Sequence, residues 1–104
     1  MVFKFLVAPE IVLNPEDITI IEGEEAVFSC VVDGNLSPSV SWTKNGEKLN
    51  MTTNLRLTAS SQNYNHSLTI TNVYRSDSGQ YTCVAVNSVG NLTTSSGNLK
   101  VQCK

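Results

Sequence analysis

From Ile11 onward the chain falls into short runs of β-branched or alternating residues separated by turn residues at regular intervals, and no stretch sustains a helical period. A chain punctuated this way folds all-β, each run crossing a sheet once and returning through a turn. Its 104 residues make one domain, small enough that a covalent crosslink weighs heavily in its stability.

Alternation assigns the faces. IVL (Ile11 to Leu13) and ITII (Ile18 to Ile21) flank Asn14-Pro15; proline lacks the N–H that a ladder needs, so the two pieces read as one broken edge strand. In AVFSCVV, Ala26, Phe28, Cys30 and Val32 share the inward face, leaving Val27, Ser29 and Val31 outward. SVSWTK turns Val40 and Trp42 inward and Ser39, Ser41 and Thr43 outward, and Asn45-Gly46 closes it as a two-residue hairpin turn. EKLN is a short return strand, followed by strands in LRLTAS and HSLTITNV with Leu68 and Ile70 inward and Val73 capping the core. GQYTCVAVN reads as the central strand, SVG as its turn, and NLTTSSGNLKV as one long final strand.

Seven basic and nine acidic residues give a net charge of −2, with the cations scattered rather than gathered into a stripe for phosphates. Nucleic acid is therefore not an expected partner, and the absence of a basic patch also argues against heparin. No run of eighteen apolar residues occurs, so no membrane insertion is expected. The opening MVFKFLVA has too short an apolar run for a secretory signal; residues 1–8 read as a linker or the tail of a preceding segment, 9–102 as the domain, and 103–104 as the start of a following linker.

Three cysteines, Cys30, Cys83 and Cys103, cannot all pair within one chain. His66 is the single histidine and no C-x-x-C or H-x-x-x-H spacing is present, so a disulfide is a better use for two of the cysteines than zinc. In DSGQYTC, Asp77 to Cys83, extended geometry points Tyr81 and Cys83 to one face and Gln80 and Thr82 to the other.

These residues carry a family resemblance. Gly23, Phe28 and Cys30 in GEEAVFSC, Pro38, Val40 and Trp42 in PSVSW, Asn45-Gly46 and Leu49, then Leu68, Ile70, Val73, Asp77, Gly79, Tyr81, Cys83, Ala85, Asn87 and Gly90 in LTITNVYRSDSGQYTCVAVNSVG are spaced as in immunoglobulin-fold domains. The chain most resembles the intermediate set, over about Pro9 to Val101. The spacing from Trp42 to Leu68 leaves hardly any room for the extra strand pair of variable domains.

The resemblance implies an all-β, two-sheet Greek-key sandwich with a Cys30–Cys83 disulfide packed on Trp42. On chain-entropy grounds that closure is worth roughly 4 kcal/mol. It also implies a tyrosine corner at Tyr81 and an ion pair from Asp77 to Arg56, with Arg75 the alternative. Asp77, Arg56 and Tyr81 are thus structural, and no catalytic, cofactor or metal residue is expected. His66 stands at a strand start without a nucleophile at a recognised spacing and is expected in solvent. Glu22, Glu24 and Glu25 lack the ordered alternation of a calcium loop.

Four N-x-S/T sequons occur, at Asn35, Asn50, Asn65 and Asn91. Glycans are expected at the last three and little occupancy at Asn35, where Pro38 follows the sequon serine. Cys103 lies beyond the family pattern, with three fates open: pairing with a neighbouring segment, a free thiol, or a crosslink between copies. The expected function is protein–protein contact as one unit of a multi-domain extracellular adhesion molecule or receptor, with neighbouring domains of the same kind and a partner reached homophilically or heterophilically. The expected partner face is Ser41, Thr43, Thr82, Val84 and Val86. The alternatives are a cytosolic structural domain of a giant muscle-type protein and a ligand-binding ectodomain unit of a receptor tyrosine kinase.

Overall fold

A computed structural model describes residues 9–33, 38–62, 64–88 and 90–104. The strands are β1 Glu10–Leu13, β2 Ile18–Ile21, β3 Ala26–Asp33, β4 Ser39–Lys44, β5 Glu47–Lys48, β6 Leu57–Gln62, β7 Asn65–Ile70, β8 Gly79–Val86, β9 Asn91–Thr93 and β10 Gly97–Gln102, with one 3-10 turn at Arg75–Asp77. They form two sheets, ordered β1-β3-β7-β6 and β2-β10-β8-β4-β5, with β9 pairing β8 beside β10.

The core forms where the inward residues of the two sheets meet. Phe28, Cys30, Val32, Trp42, Leu68, Ile70, Val73, Tyr81, Cys83 and Ala85 are all at most 1% exposed, and Phe28 stacks on Tyr81 with ring centroids 4.9 Å apart. Cys30 on β3 and Cys83 on β8 are disulfide-bonded across the sandwich, and Trp42 stands directly opposite Cys83 in the β4–β8 register. The Asn45-Gly46 turn has φ of 51° and 85° at its two residues, the left-handed pair that a tight hairpin between right-twisted strands requires.

The broken edge strand does more than interrupt a ladder. β1 pairs antiparallel with β3, whereas β2 crosses to the other sheet and pairs parallel with β10, Ile18 opposite Leu99. The crossing is tight: a Cβ on Gly97 would lie 2.8 Å from the Glu16 carbonyl oxygen, 2.9 Å from Pro15 Cβ and 3.0 Å from Phe28 Cε1. Glycine is needed there because backbone and ring occupy the space a side chain would take.

The final strand is not continuous. It breaks between β9 and β10, where Thr94 is buried, its Oγ1 accepting the Cys83 N–H at 3.0 Å and its own N–H donating to the Cys83 carbonyl at 3.0 Å. Thr94 gives the central strand a side-chain acceptor in place of its carbonyl, and the register slips by one residue between Thr94 and Gly97, a bulge that serine and threonine composition does not announce.

Replacing Cys30 and Cys83 together by alanine is expected to remove about 2–5 kcal/mol. For a domain of this size that lowers the thermal midpoint by at least roughly 10 °C. A midpoint unchanged in calorimetry would mean the crosslink does not support the fold.

Candidate functional site

Three arrangements concentrate the polar chemistry: a charged corner, the outer face of the β4–β8–β9 sheet, and the exposed sequon asparagines.

The corner joins the two sheets at one end. Arg56, just before β6, sends Nη1 and Nη2 to Asp77 Oδ2 and Oδ1 at 2.8 and 3.0 Å, a two-pronged pair that fits the planar guanidinium. Arg56 Nη1 also donates to the Asn72 carbonyl at 3.2 Å, and the guanidinium lies 3.9 Å over the Tyr74 ring. The Tyr74 N–H donates to Asp77 Oδ2 at 2.6 Å, and Tyr81, on β8, donates its hydroxyl to the Asp77 carbonyl at 2.6 Å. Arg56 takes the place expected of it, while Arg75 instead sits 3.5 Å from Cys103 Sγ.

Burial is the largest influence on the Asp77 carboxyl and pushes its pKa up. The Arg56 hydrogen bond, the Tyr74 N–H and the charges of Arg56 and Lys44 together outweigh it, so the carboxyl stays below its ordinary 3.8. Burial pushes the Tyr81 hydroxyl up strongly, with the Asp77 charge adding to it. A phenol held protonated and a carboxylate saturated with donors are poorly suited to proton transfer; the cluster fastens a corner.

The outer face presents matched rows. Across β4, β8 and β9 the register aligns Ser39, Val86 and Asn91 in one row and Ser41, Val84 and Thr93 in the next. Thr43 and Thr82 form a third row and hydrogen-bond to each other through their hydroxyls. Val86 is 46% exposed and Val84 half-buried. The five residues expected on the partner face thus lie together, themselves uncharged, with the exposed Lys48 of β5 at the edge of the third row opposite Thr43.

Asn50, Asn65 and Asn91 are exposed, Asn50 in the loop after β5 and the other two at strand starts. Asn50 Oδ1 accepts from the Thr52 N–H and hydroxyl at 3.0 and 2.6 Å. Asn35 lies outside the described residues. His66 departs from expectation: it is 6% exposed, with Nδ1 2.6 Å from Ser61 Oγ, because its place opposite Cys30 turns it inward and burial lowers its pKa. Cys103 is exposed. Among the described residues no group of three or more His, Cys, Asp or Glu is placed to hold a metal ion.

Two features escaped the sequence reading. Tyr74 completes the corner, yet its role depends on a backbone N–H and a ring face that no spacing reveals. On the opposite sheet Leu13 and Val27 are about half exposed and line a shallow groove with Asn14, Glu16, Asp17 and Ile18; the outward turn of Val27 was legible, but the groove depends on where the edge strand crosses.

The sequence profile of the Immunoglobulin I-set domain matches residues 9–101. The chain is 38% identical over 95 residues to the titin homolog of Caenorhabditis elegans, covering 91% of this chain and a share of the relative that rounds to 0%. It is 34% identical over 85 residues to rat neogenin (Rattus norvegicus), covering 82% of this chain and 6% of the relative. This chain therefore spans only a small fraction of either protein. Among solved structures, that of the complex of titin M10 with the obscurin-like 1 Ig domain matches with a TM-score of 0.87 at 28% identity, covering 94% of this chain and 97% of that one.

The corner yields a pH test. Because the folded pKa of Asp77 is depressed, its contribution is complete above the unfolded value near 4 and is lost as pH falls through the lower folded pKa. His66, also depressed, costs stability over a higher window as pH falls from its ordinary 6.5. Asp77→Asn is expected to lose about 1–3 kcal/mol at pH 7, and to flatten the stability curve below pH 4 while leaving the decline below 6.5. Urea titrations from pH 2 to 8 read both limbs, and a mutant that keeps the acid limb unchanged would remove the ion pair as its source.

Proposed function

The chain belongs to the immunoglobulin I-set family, and from that premise we propose that it is a non-catalytic protein-binding module of a multi-domain extracellular protein of the cell-adhesion or cell-surface receptor kind. The observation that carries this reading is the buried Cys30–Cys83 disulfide, a bond that persists in oxidising compartments. Exposed sequons at Asn50, Asn65 and Asn91 point the same way, as does likeness to neogenin.

The binding surface is the face of Ser41, Thr43, Thr82, Val84 and Val86, uncharged side chains with Lys48 at the edge opposite Thr43. Small hydroxyl side chains around two valines make a flat patch that is cheap to desolvate. Cys103 pairs with a cysteine of another segment or stays a thiol. The titin M10 complex with obscurin-like 1 is one structure in which a domain of this shape engages another protein. That complex and the titin homolog equally favour the second reading, a structural domain of a giant muscle-type protein with its cysteines reduced.

Chain secreted from a eukaryotic host should titrate with one free thiol after denaturation and carry glycans at Asn50, Asn65 and Asn91. Three free thiols with bare asparagines would favour the muscle-type reading. The double substitution Val84→Lys and Val86→Lys should abolish association with a partner, or self-association at high concentration, without changing the midpoint. Binding that survives it would move the site to the loops.

A further inference from the structure

The sequon Asn91-Leu92-Thr93 is itself strand β9. An extended tripeptide sends its first and third side chains to the same face, and the register fixes which one: Asn91 stands directly opposite Val86, Thr93 opposite Val84, and the middle residue, Leu92, opposite the buried Ala85. The asparagine that would carry a sugar is therefore not beside the valine patch but in the same row as its most exposed member. Directly opposed residues have Cβ atoms about 5 Å apart.

We propose that an N-linked glycan on Asn91 lies back across Val86 and Val84 and controls whether this face is open to a protein. The inference rests on the secretory reading above. Its chemistry is complementary. The first N-acetylglucosamine presents a C–H-lined ring face and an acetyl methyl that cover valine methyl groups, while its hydroxyls and amide meet Ser39 and Ser41, which flank the valines on the other side. Neither row contains a charged residue, so nothing holds a neutral sugar away from the sheet. Asn65 provides an internal contrast: it lies opposite Val31 and Gln62 in the other sheet, where its glycan cannot reach this face.

The test uses the chain secreted from a eukaryotic host as wild type, Asn91→Gln and Asn65→Gln. Intact mass gives occupancy, and hydroxyl-radical footprinting reads the reactivity of Val84 and Val86. Reactivity at both valines should rise severalfold in Asn91→Gln and stay at the wild-type level in Asn65→Gln. An unmodified Asn91 in secreted wild type, or equal valine reactivity in all three, overturns the proposal. Protection that persists in Asn91→Gln together with a dimer mass in sedimentation overturns it too, by making the occupant a second copy. Sedimentation separates the covering glycan from homophilic binding: if the valines are unmasked in Asn91→Gln but neither form self-associates, the covering glycan stands and self-association through this face falls.

Discussion

The disulfide between Cys30 and Cys83 sets the facing of most of the molecule. Each sulfur is fully buried, one in the middle of β3 and the other in the middle of β8, so the bond fixes which residues of two strands in different sheets point inward. Side chains alternate with a period of two, and a one-residue slip would present Ser29 or Thr82 to the core. The ladders carry this choice outward, since β3 sets Phe28 against Leu68 on β7 and β8 sets Cys83 against Trp42 on β4. The outward set of Thr82, Val84 and Val86 is thus a consequence of where the sulfurs are.

A second tie acts at one end of the sandwich. Arg56 precedes a strand of one sheet, Tyr81 belongs to a strand of the other, and Asp77 receives both, one at its carboxylate and one at its carbonyl. A buried carboxylate costs desolvation, and here every donor that offsets the cost also holds a segment of chain in place. Crosslinked through the middle and fastened at this corner, the two sheets are tied to each other at two separate places.

How much of this was legible follows from which forces are local. Alternation placed the inward residues of β3, β4 and β8, most of which have a polar outer neighbour, and Asn45-Gly46 announced its turn. The corner was legible only through the family resemblance, which assigned Asp77, Arg56 and Tyr81 but not the contribution of Tyr74. His66 shares its inward face with Leu68 and Ile70, so its burial follows from the strand's own alternation. Two features were not legible, because each is decided by a distant partner. Thr94 breaks the last strand to bond with Cys83, and Gly97 is small because Pro15 and Phe28 cross it. Register, a long-range property, decides each of them.

The same division explains why family membership narrows function less than it narrows fold. Titin homolog and neogenin are proteins of different kinds, yet each is similar to this chain over most of its length. What distinguishes one setting from another is whether the central cysteines are oxidised and what the outward asparagines and valines carry. In this chain an outward asparagine and the most exposed valine of the candidate face occupy one cross-strand row. On the reading proposed above, a glycan on the first would alter the accessible surface of the second and so couple compartment to binding, through a pair of residues whose facing the core fixes.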